Sequence, residues 1–131
     1  MKEVVRAIIT NEQGKVLLGK RARGISTGMY TIIGGKSDLG EDPKTAVTRE
    51  VKEETGLDFE PTSLFLELEQ EDDIFGKWRV YYFTGEISGE IKLNKEEISD
   101  VIYVSEEEAD SRYDIAFDHN KILKEFFKKQ K

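Results

Sequence analysis

Three glutamates stand together at positions 50, 53 and 54, with Arg49 beside them, in the run TREVKEETGL. If the run is helical, then with Ala46 at zero Glu53 falls at about 340°, Glu50 at about 40° and Glu54 at about 80° around the axis. All three share one face. Val47 and Val51 adjoin that face, whereas Lys44, Thr48, Lys52 and Thr55 point the other way, so the carboxylates border the side that would be buried. Glutamates on one helix are ordinarily a solvated face; the adjoining valines argue against that here. Like charges three or four residues apart cost a helix roughly 0.2–0.5 kcal/mol per pair, and more when partly desolvated. Arg49 can engage one carboxylate through a charge-assisted hydrogen bond, which would leave two without a partner. A hard divalent cation resolves the conflict. Mg²⁺ or Mn²⁺ prefers carboxylate, carbonyl and water oxygens, and Mg²⁺ usually shares its shell with substrate phosphates.

Composition narrows the chemistry further. The 131 residues include no Cys and one His. That removes disulfides, thiolate nucleophiles and Cys- or multi-His zinc sites, so a metal here must sit on oxygen. A net charge of -7 is the wrong sign for holding nucleic acid by its phosphates, so no stable nucleic-acid binding is expected. The longest run without a charge, Gly24 to Gly35, has 12 residues, short of the roughly 20 that a membrane helix needs. Lys2, Glu3 and Arg6 interrupt what would be the apolar part of a signal peptide. The expectation is one domain over residues 1–131, cytoplasmic and without a membrane span.

The elements that must position the glutamates can be read from local signals. Asp42 followed by Pro43 is a helix start, Ala46, Val47 and Val51 carry helical spacing, and Gly56 stands where a C-terminal cap belongs. Val4 to Ile9 and Val16 to Leu18, with a turn at Asn11 to Gly14, read as a hairpin, and Tyr30 to Ile33 as a strand closed by Gly34 and Gly35. Leu57 to Phe59, Leu64 to Leu68, Lys77 to Thr84 and Val101 to Val104 read as further strands, with Glu71 to Ile74 and Gly85 to Gly89 as turns. Ser105 and Glu108 form a capping box, Asp118 is expected to cap a last amphipathic helix, and Lys128 to Lys131 to fray. The fold class is therefore α/β, a mixed sheet with helices packed on it.

The whole segment Gly35 to Leu57, GKSDLGEDPKTAVTREVKEETGL, resembles the Nudix box. Its pattern is Gly, five residues, Glu, seven residues, then Arg-Glu-aliphatic-any-Glu-Glu-any-Gly-aliphatic, and every defining position is filled. The resemblance to Nudix hydrolases implies an α/β/α sandwich around a mixed sheet. It also implies Mg²⁺-dependent attack of water on a nucleoside diphosphate linked to another group, with Mn²⁺ as a substitute. It makes Glu50, Glu53 and Glu54 metal ligands, joined by the Gly35 carbonyl, with Arg49 holding a box carboxylate and Glu41 helping more distantly. Glu53 or Glu50 is the expected base. Glu97 stands where several relatives place a further acidic ligand; a solvated loop glutamate is the alternative. Relatives commonly enter the box through Pro-Gly-Gly, whereas this chain has Ile33-Gly34-Gly35, which implies altered loop stiffness rather than lost activity.

Substrate choice is less sharply marked. MutT-type relatives place an arginine near Arg21 and Arg23 to contact the nucleotide, which favours a (deoxy)nucleoside triphosphate or an oxidised nucleotide; ordinary surface cations are the alternative. Trp78, Tyr82 and Phe75 are candidates for stacking on a base, although aromatics in alternating strands usually belong to the core. The proline that marks many ADP-ribose hydrolases a little after the box is absent, where Asp72 and Asp73 stand. A tyrosine that marks dinucleoside polyphosphate hydrolases is also missing from that stretch. AFDHNKIL, from Ala116 to Leu123, nevertheless resembles a segment of some ADP-ribose-type members and keeps ADP-ribose or nucleotide sugars open. His119 is expected to start a helix rather than catalyse. A domain that only senses nucleotides is the rival from another class, and the complete box argues against it. The family often dimerises, and Trp78 to Phe83 is the candidate strand for a homodimer.

Overall fold

A computed structural model describes residues 1–73 and 76–131. Its strands are β1 (Lys2–Ile8), β2 (Val16–Arg21), β3 (Tyr30–Lys36), β4 (Asp58–Asp72), β5 (Gly76–Ser88) and β6 (Ile98–Val104), and its helices α1 (Pro43–Thr55), α2 (Glu106–Ser111) and α3 (His119–Lys129). Hydrogen bonding orders the strands β4-β5-β1-β3-β2-β6 in a six-stranded sheet. The β1–β5 pair is parallel and the other pairs are antiparallel, so the sheet is mixed and the class is α/β, as expected. Two compact units divide the chain, residues 1–9 with 33–92 and residues 10–32 with 93–131, and β3 runs from the second into the first.

In the first unit α1 lies against β1 and β4. Ala46, Val47 and Val51 on the helix, and Val5 and Ala7 on β1, are fully buried. Both predicted helix ends are present. Asp42 accepts a hydrogen bond from the Lys44 amide, and Gly56 adopts the left-handed φ of 77° with its N–H donating to the Lys52 carbonyl. Thr48 and Thr55 do not face solvent as the wheel suggested. Thr48 Oγ1 donates to the Phe59 carbonyl on β4, and Thr55 Oγ1, buried, donates to Val51 O and accepts from the Leu57 amide. Hydroxyls that satisfy backbone groups can be buried where charges cannot.

Several expected boundaries move. Phe59 and Leu64–Leu68 belong to one long strand, β4, with Leu57 just before it, because shifts in register between Pro61 and Ser63 and between Leu64 and Leu66 absorb the interruption. A proline lacks a ladder donor, and a bulge is where a strand tolerates that loss. Glu71 and Asp72 continue β4 rather than turn, and Ile74 lies outside the described residues. Gly85 is likewise in β5, not in a turn; a Cβ there would lie 2.1 Å from the Glu60 carbonyl oxygen, so only glycine fits. β3 continues through Gly34 and Gly35 instead of ending at them.

In the second unit β2 pairs with β3 and β6, so the expected β1–β2 hairpin is replaced by a single bridge between Thr10 and Val16. α2 packs on β6 and α3, and its capping box is formed by Ser105 and Glu108. Asp118 occupies the N-cap position of α3 but makes no capping hydrogen bond. Its backbone, at φ -102° and ψ 21°, is not the extended conformation that aims a cap side chain at the first turn. α3 continues to Lys129, into the tail expected to fray, and Lys131 pairs with Glu106 at 2.9 Å. Among the described residues, no helix is long and apolar enough to cross a membrane.

Candidate active site

The box carboxylates lie in the first unit, between the end of β3 and the exposed edge of α1. The turn from Asp38 to Glu41 brings the loop back to the helix: the Glu41 amide donates to Asp38 O, and the Asp38 amide donates to Glu41 Oε1. Arg49 is the hub. Its Nε and Nη2 donate to the two Glu41 oxygens at 2.8 and 2.9 Å, Nη1 donates to Glu50 and Glu53 at 3.1 Å each, and Nη2 also reaches the Lys36 carbonyl at 3.1 Å. Asp38 stands 3.6 Å from Nε. The expectation that Arg49 would satisfy a single carboxylate was therefore too small: a planar fork of five donors can engage several oxygens at once. Neither the Lys36 carbonyl nor Asp38 was identifiable from the sequence, because a backbone acceptor leaves no mark on side-chain spacing.

The three helix glutamates differ in setting. Glu54 is 4% exposed and Glu50 is largely buried, whereas the Glu53 side chain is 55% exposed. Burial pushes the Glu50 carboxyl above the usual carboxylate range, against hydrogen bonds to Glu54 and Arg49 that favour its charged form, while the Glu53 charge pushes it further up. Glu41 is drawn down to about 2, chiefly by its hydrogen bonds from Arg49 and then by the Asp38 amide. The guanidinium of Arg49 is correspondingly harder to deprotonate.

Glycine at 35 is required by the glutamate that faces it. A Cβ there would lie 2.5 Å from Glu50 Oε2 and 2.7 Å from its Cδ, so the Glu50 carboxylate occupies the space of the missing side chain. Gly34 is constrained from the other side: its φ is 154° and its Cβ would lie 2.0 Å from the Val5 carbonyl oxygen. The two glycines thus press β3 on β1 and seat Glu50 against the backbone.

The donor set fits a hard divalent cation. Burial pushes the Glu50 carboxyl above the usual range beside Glu54 and Glu53, and a divalent cation on these oxygens would offset the cost of holding them charged. Every candidate donor is oxygen. Among the described residues no three His, Cys, Asp or Glu side chains are arranged as they stand to hold a metal ion, and Glu53 Oε2 accepts from Arg49.

The remaining candidates lie elsewhere. Arg23 and Glu97, both in the second unit, pair with each other at 2.8 Å. Arg21 donates from Nε to Ile25 O at 2.7 Å and lies 5.1 Å over the Phe117 ring. Tyr82 is 1% exposed and belongs to the core; Trp78 is half-buried, and Phe75 lies outside the described residues. His119 is buried at the start of α3, and its Nδ1 accepts the Ile32 amide, which is the structural role expected of it.

Comparison with known proteins shows the family to which the chain belongs. The chain is 30% identical over 122 residues to an ADP-ribose pyrophosphatase from Methanocaldococcus jannaschii, covering 92% of this chain and 70% of that one. It is 36% identical over 70 residues to an 8-oxo-dGTP diphosphatase from Escherichia coli, covering 53% of this chain and only 54% of the relative's length. The structure of a MutT protein from Methanosarcina mazei superposes with a TM-score of 0.83 at 27% identity, over 98% of this chain and 94% of that one. A family model described as the NUDIX domain matches residues 2–126. With that match running almost end to end over a box whose every defining position is filled, the chain belongs to the NUDIX family.

Proposed function

We propose that this chain is a metal-dependent pyrophosphohydrolase, a single catalytic domain over residues 1–131, whose substrate is a (deoxy)nucleoside triphosphate or an oxidised nucleotide. The observation that carries the reading is the grip of Arg49 on Glu41, Glu50 and Glu53 beside the Gly35 backbone. Glu50, Glu53, Glu54 and the Gly35 carbonyl would hold Mg²⁺, or Mn²⁺ in its place, and Glu97 would be a further ligand. When bound, the ion polarises phosphate oxygens, acidifies a water and neutralises charge on the leaving group.

The chain's own residues do the rest. Arg49 fixes the carboxylates against their mutual repulsion, so that the helix presents them pre-organised. Glu53 is the base we favour, because its exposed carboxyl can meet a water; Glu50, whose carboxyl burial pushes up, is the alternative. Arg21 and Arg23 would contact the nucleotide. The name of the Escherichia coli relative supports an oxidised triphosphate. A second reading, ADP-ribose, is favoured by the longer match to the Methanocaldococcus protein. The net charge of -7 supports a small nucleotide rather than nucleic acid as the partner. We place the activity in the cytoplasm, by a monomer or a homodimer.

Product analysis decides among these readings. Nucleoside triphosphates, oxidised dGTP, ADP-ribose, dinucleoside polyphosphates and nucleotide sugars are incubated with Mg²⁺, Mn²⁺ or EDTA and each product is identified. Metal-dependent release of a nucleoside monophosphate and pyrophosphate from a triphosphate is expected. Preference for ADP-ribose would move the assignment to the second reading, and silence across the panel would overturn both.

A further inference from the structure

Two short helices of the second unit frame a groove. α2 and α3 pack on each other, and between them lies an open cleft of about 390 Å³, lined by Glu107, Ala109 and Asp110 from α2 and by Asn120, Lys124 and Phe127 from α3 among others. Ala109 and Phe127, 7% and 8% exposed, make its apolar floor.

The two walls of the groove carry opposite charge. Glu107 and Asp110 on α2 are both exposed. The cations near that helix are engaged elsewhere, since Lys15 and Arg112 pair with Glu108, and Lys131 pairs with Glu106. On α3, at about 100° per residue, Lys121 and Lys128 lie within about 60° of Lys124 and extend it into a basic stripe, while Glu125 lies about 100° from Lys124. All three lysines are exposed. Among the described residues Glu107, Asp110 and Lys124 form no ion pair, although they border one groove.

An occupant that neutralises both walls must itself be acidic along one side and basic along the other. A wholly basic partner would be repelled by Lys124, and a wholly acidic one by Glu107 and Asp110. The face itself has the required pattern. Turned over by a two-fold axis running along the groove, a second copy sets its α2 over the first copy's α3 and its α3 over the first copy's α2, so that every contact is made twice. The strand Trp78 to Phe83, the other candidate for a homodimer, is paired along both edges, with β1 and with β4, and offers no free ladder to a second copy.

We infer that the α2–α3 face is a self-complementary docking surface for a second copy of this chain. Glu107 and Asp110 of one copy face the stripe of Lys121 and Lys124 on its partner, and the two apolar floors face each other. A face two short helices wide is smaller than a tight interface, and exposed ion pairs contribute only about 0.2–1 kcal/mol each. The dimer is therefore weak, concentration-dependent and sensitive to salt. It holds whether or not the chain hydrolyses nucleotides.

Sedimentation equilibrium of the whole chain, at concentrations up to about 1 mM, reads the oligomeric state. Wild type should dimerise in low salt and return to monomer in about 1 M NaCl, where the screening length is about 3 Å; this comparison needs no variant. Glu107→Lys with Asp110→Lys, and separately Lys121→Glu with Lys124→Glu, should each weaken the dimer by about tenfold or more. An equimolar mixture of the two double variants should form a heterodimer, because opposite charges meet again. The first double variant brings the net charge of -7 nearer zero, which by itself favours association, so its weakened dimer isolates the local pairing. All four positions are exposed, and thermal unfolding checks that each variant keeps its fold. Lys44→Glu, on α1, should leave the dimer unchanged. Wild type that stays monomeric throughout, a dimer that persists in about 1 M NaCl, undiminished dimerisation of either folded double variant, or folded variants that remain monomeric when mixed would overturn a second copy as the occupant.

Discussion

A single methyl group added at Gly35 should stop the chemistry without unfolding the protein. The new Cβ would lie 2.5 Å from Glu50 Oε2, where ordinary contact begins at 3.4 Å. The Glu50 carboxyl must therefore retreat by about 1 Å. It can do so cheaply, because the atoms displaced are the far end of a flexible side chain. A shift of about 1 Å at a reacting centre costs about 10²-fold in rate, or about 2.7 kcal/mol. Gly35→Ala should thus lose about two orders of magnitude in kcat/KM, with a melting temperature within a few degrees of wild type. Gly34→Ala is the internal contrast. Its Cβ would meet the Val5 carbonyl oxygen at 2.0 Å, with φ at 154°, and a backbone oxygen cannot swing aside. That variant should lose about 3 kcal/mol or more, lowering the melting temperature by roughly 10 °C. Steady-state kinetics on the preferred nucleotide and thermal unfolding of both variants measure the pair. Wild-type turnover in Gly35→Ala, or equal destabilisation of the two variants, would refute the claim that Gly35 seats Glu50.

Other consequences are simpler to state. Asp42→Ala removes the bond to the Lys44 amide and should cost about 1 kcal/mol, seen as a drop of roughly 3–5 °C in melting temperature. Glu41 has its carboxyl held down to about 2 by Arg49, and a depressed carboxylate contributes stability that is complete above its unfolded value and is lost as pH falls. Stability measured by urea unfolding should therefore decline between about pH 4.5 and 2, and Glu41→Gln should flatten that decline. Glu97→Gln breaks an exposed pair with Arg23 and should change stability by no more than about 0.5 kcal/mol; a rise in the metal concentration needed for half-maximal activity would identify Glu97 as a ligand.

The parts of this molecule that local chemistry dictates were legible in the sequence. Asp42, Pro43 and Gly56 fix both ends of α1 by hydrogen bonding and backbone conformation within a few residues, and the capping box at Ser105 and Glu108 is equally local. What depends on distant partners was not. The pairing of β1 with β3 and β5 in place of β2 is set across the sheet, and the continuity of β4 past Pro61 depends on β5 supplying a bulged partner. Thr55 read as a surface residue because the helical wheel shows polarity but not the backbone groups its hydroxyl would satisfy. The candidate site shows the same division. The spacing of Glu50, Glu53 and Glu54 placed them on one face, yet the reach of Arg49 to Glu41, eight residues back, needed the loop to fold onto the helix.

The central claim is that the carboxylates gripped by Arg49 work as a metal-dependent hydrolytic centre. Turnover of the preferred nucleotide by wild type and Glu53→Gln, each in Mg²⁺ and in EDTA, tests it most directly. Wild-type turnover should vanish in EDTA and return with Mg²⁺, and Glu53→Gln should lose about 10²-fold or more in kcat. Its melting temperature should be unchanged, because the Glu53 side chain is 55% exposed. Turnover that persists in EDTA, or that survives in a folded Glu53→Gln variant, would contradict the account.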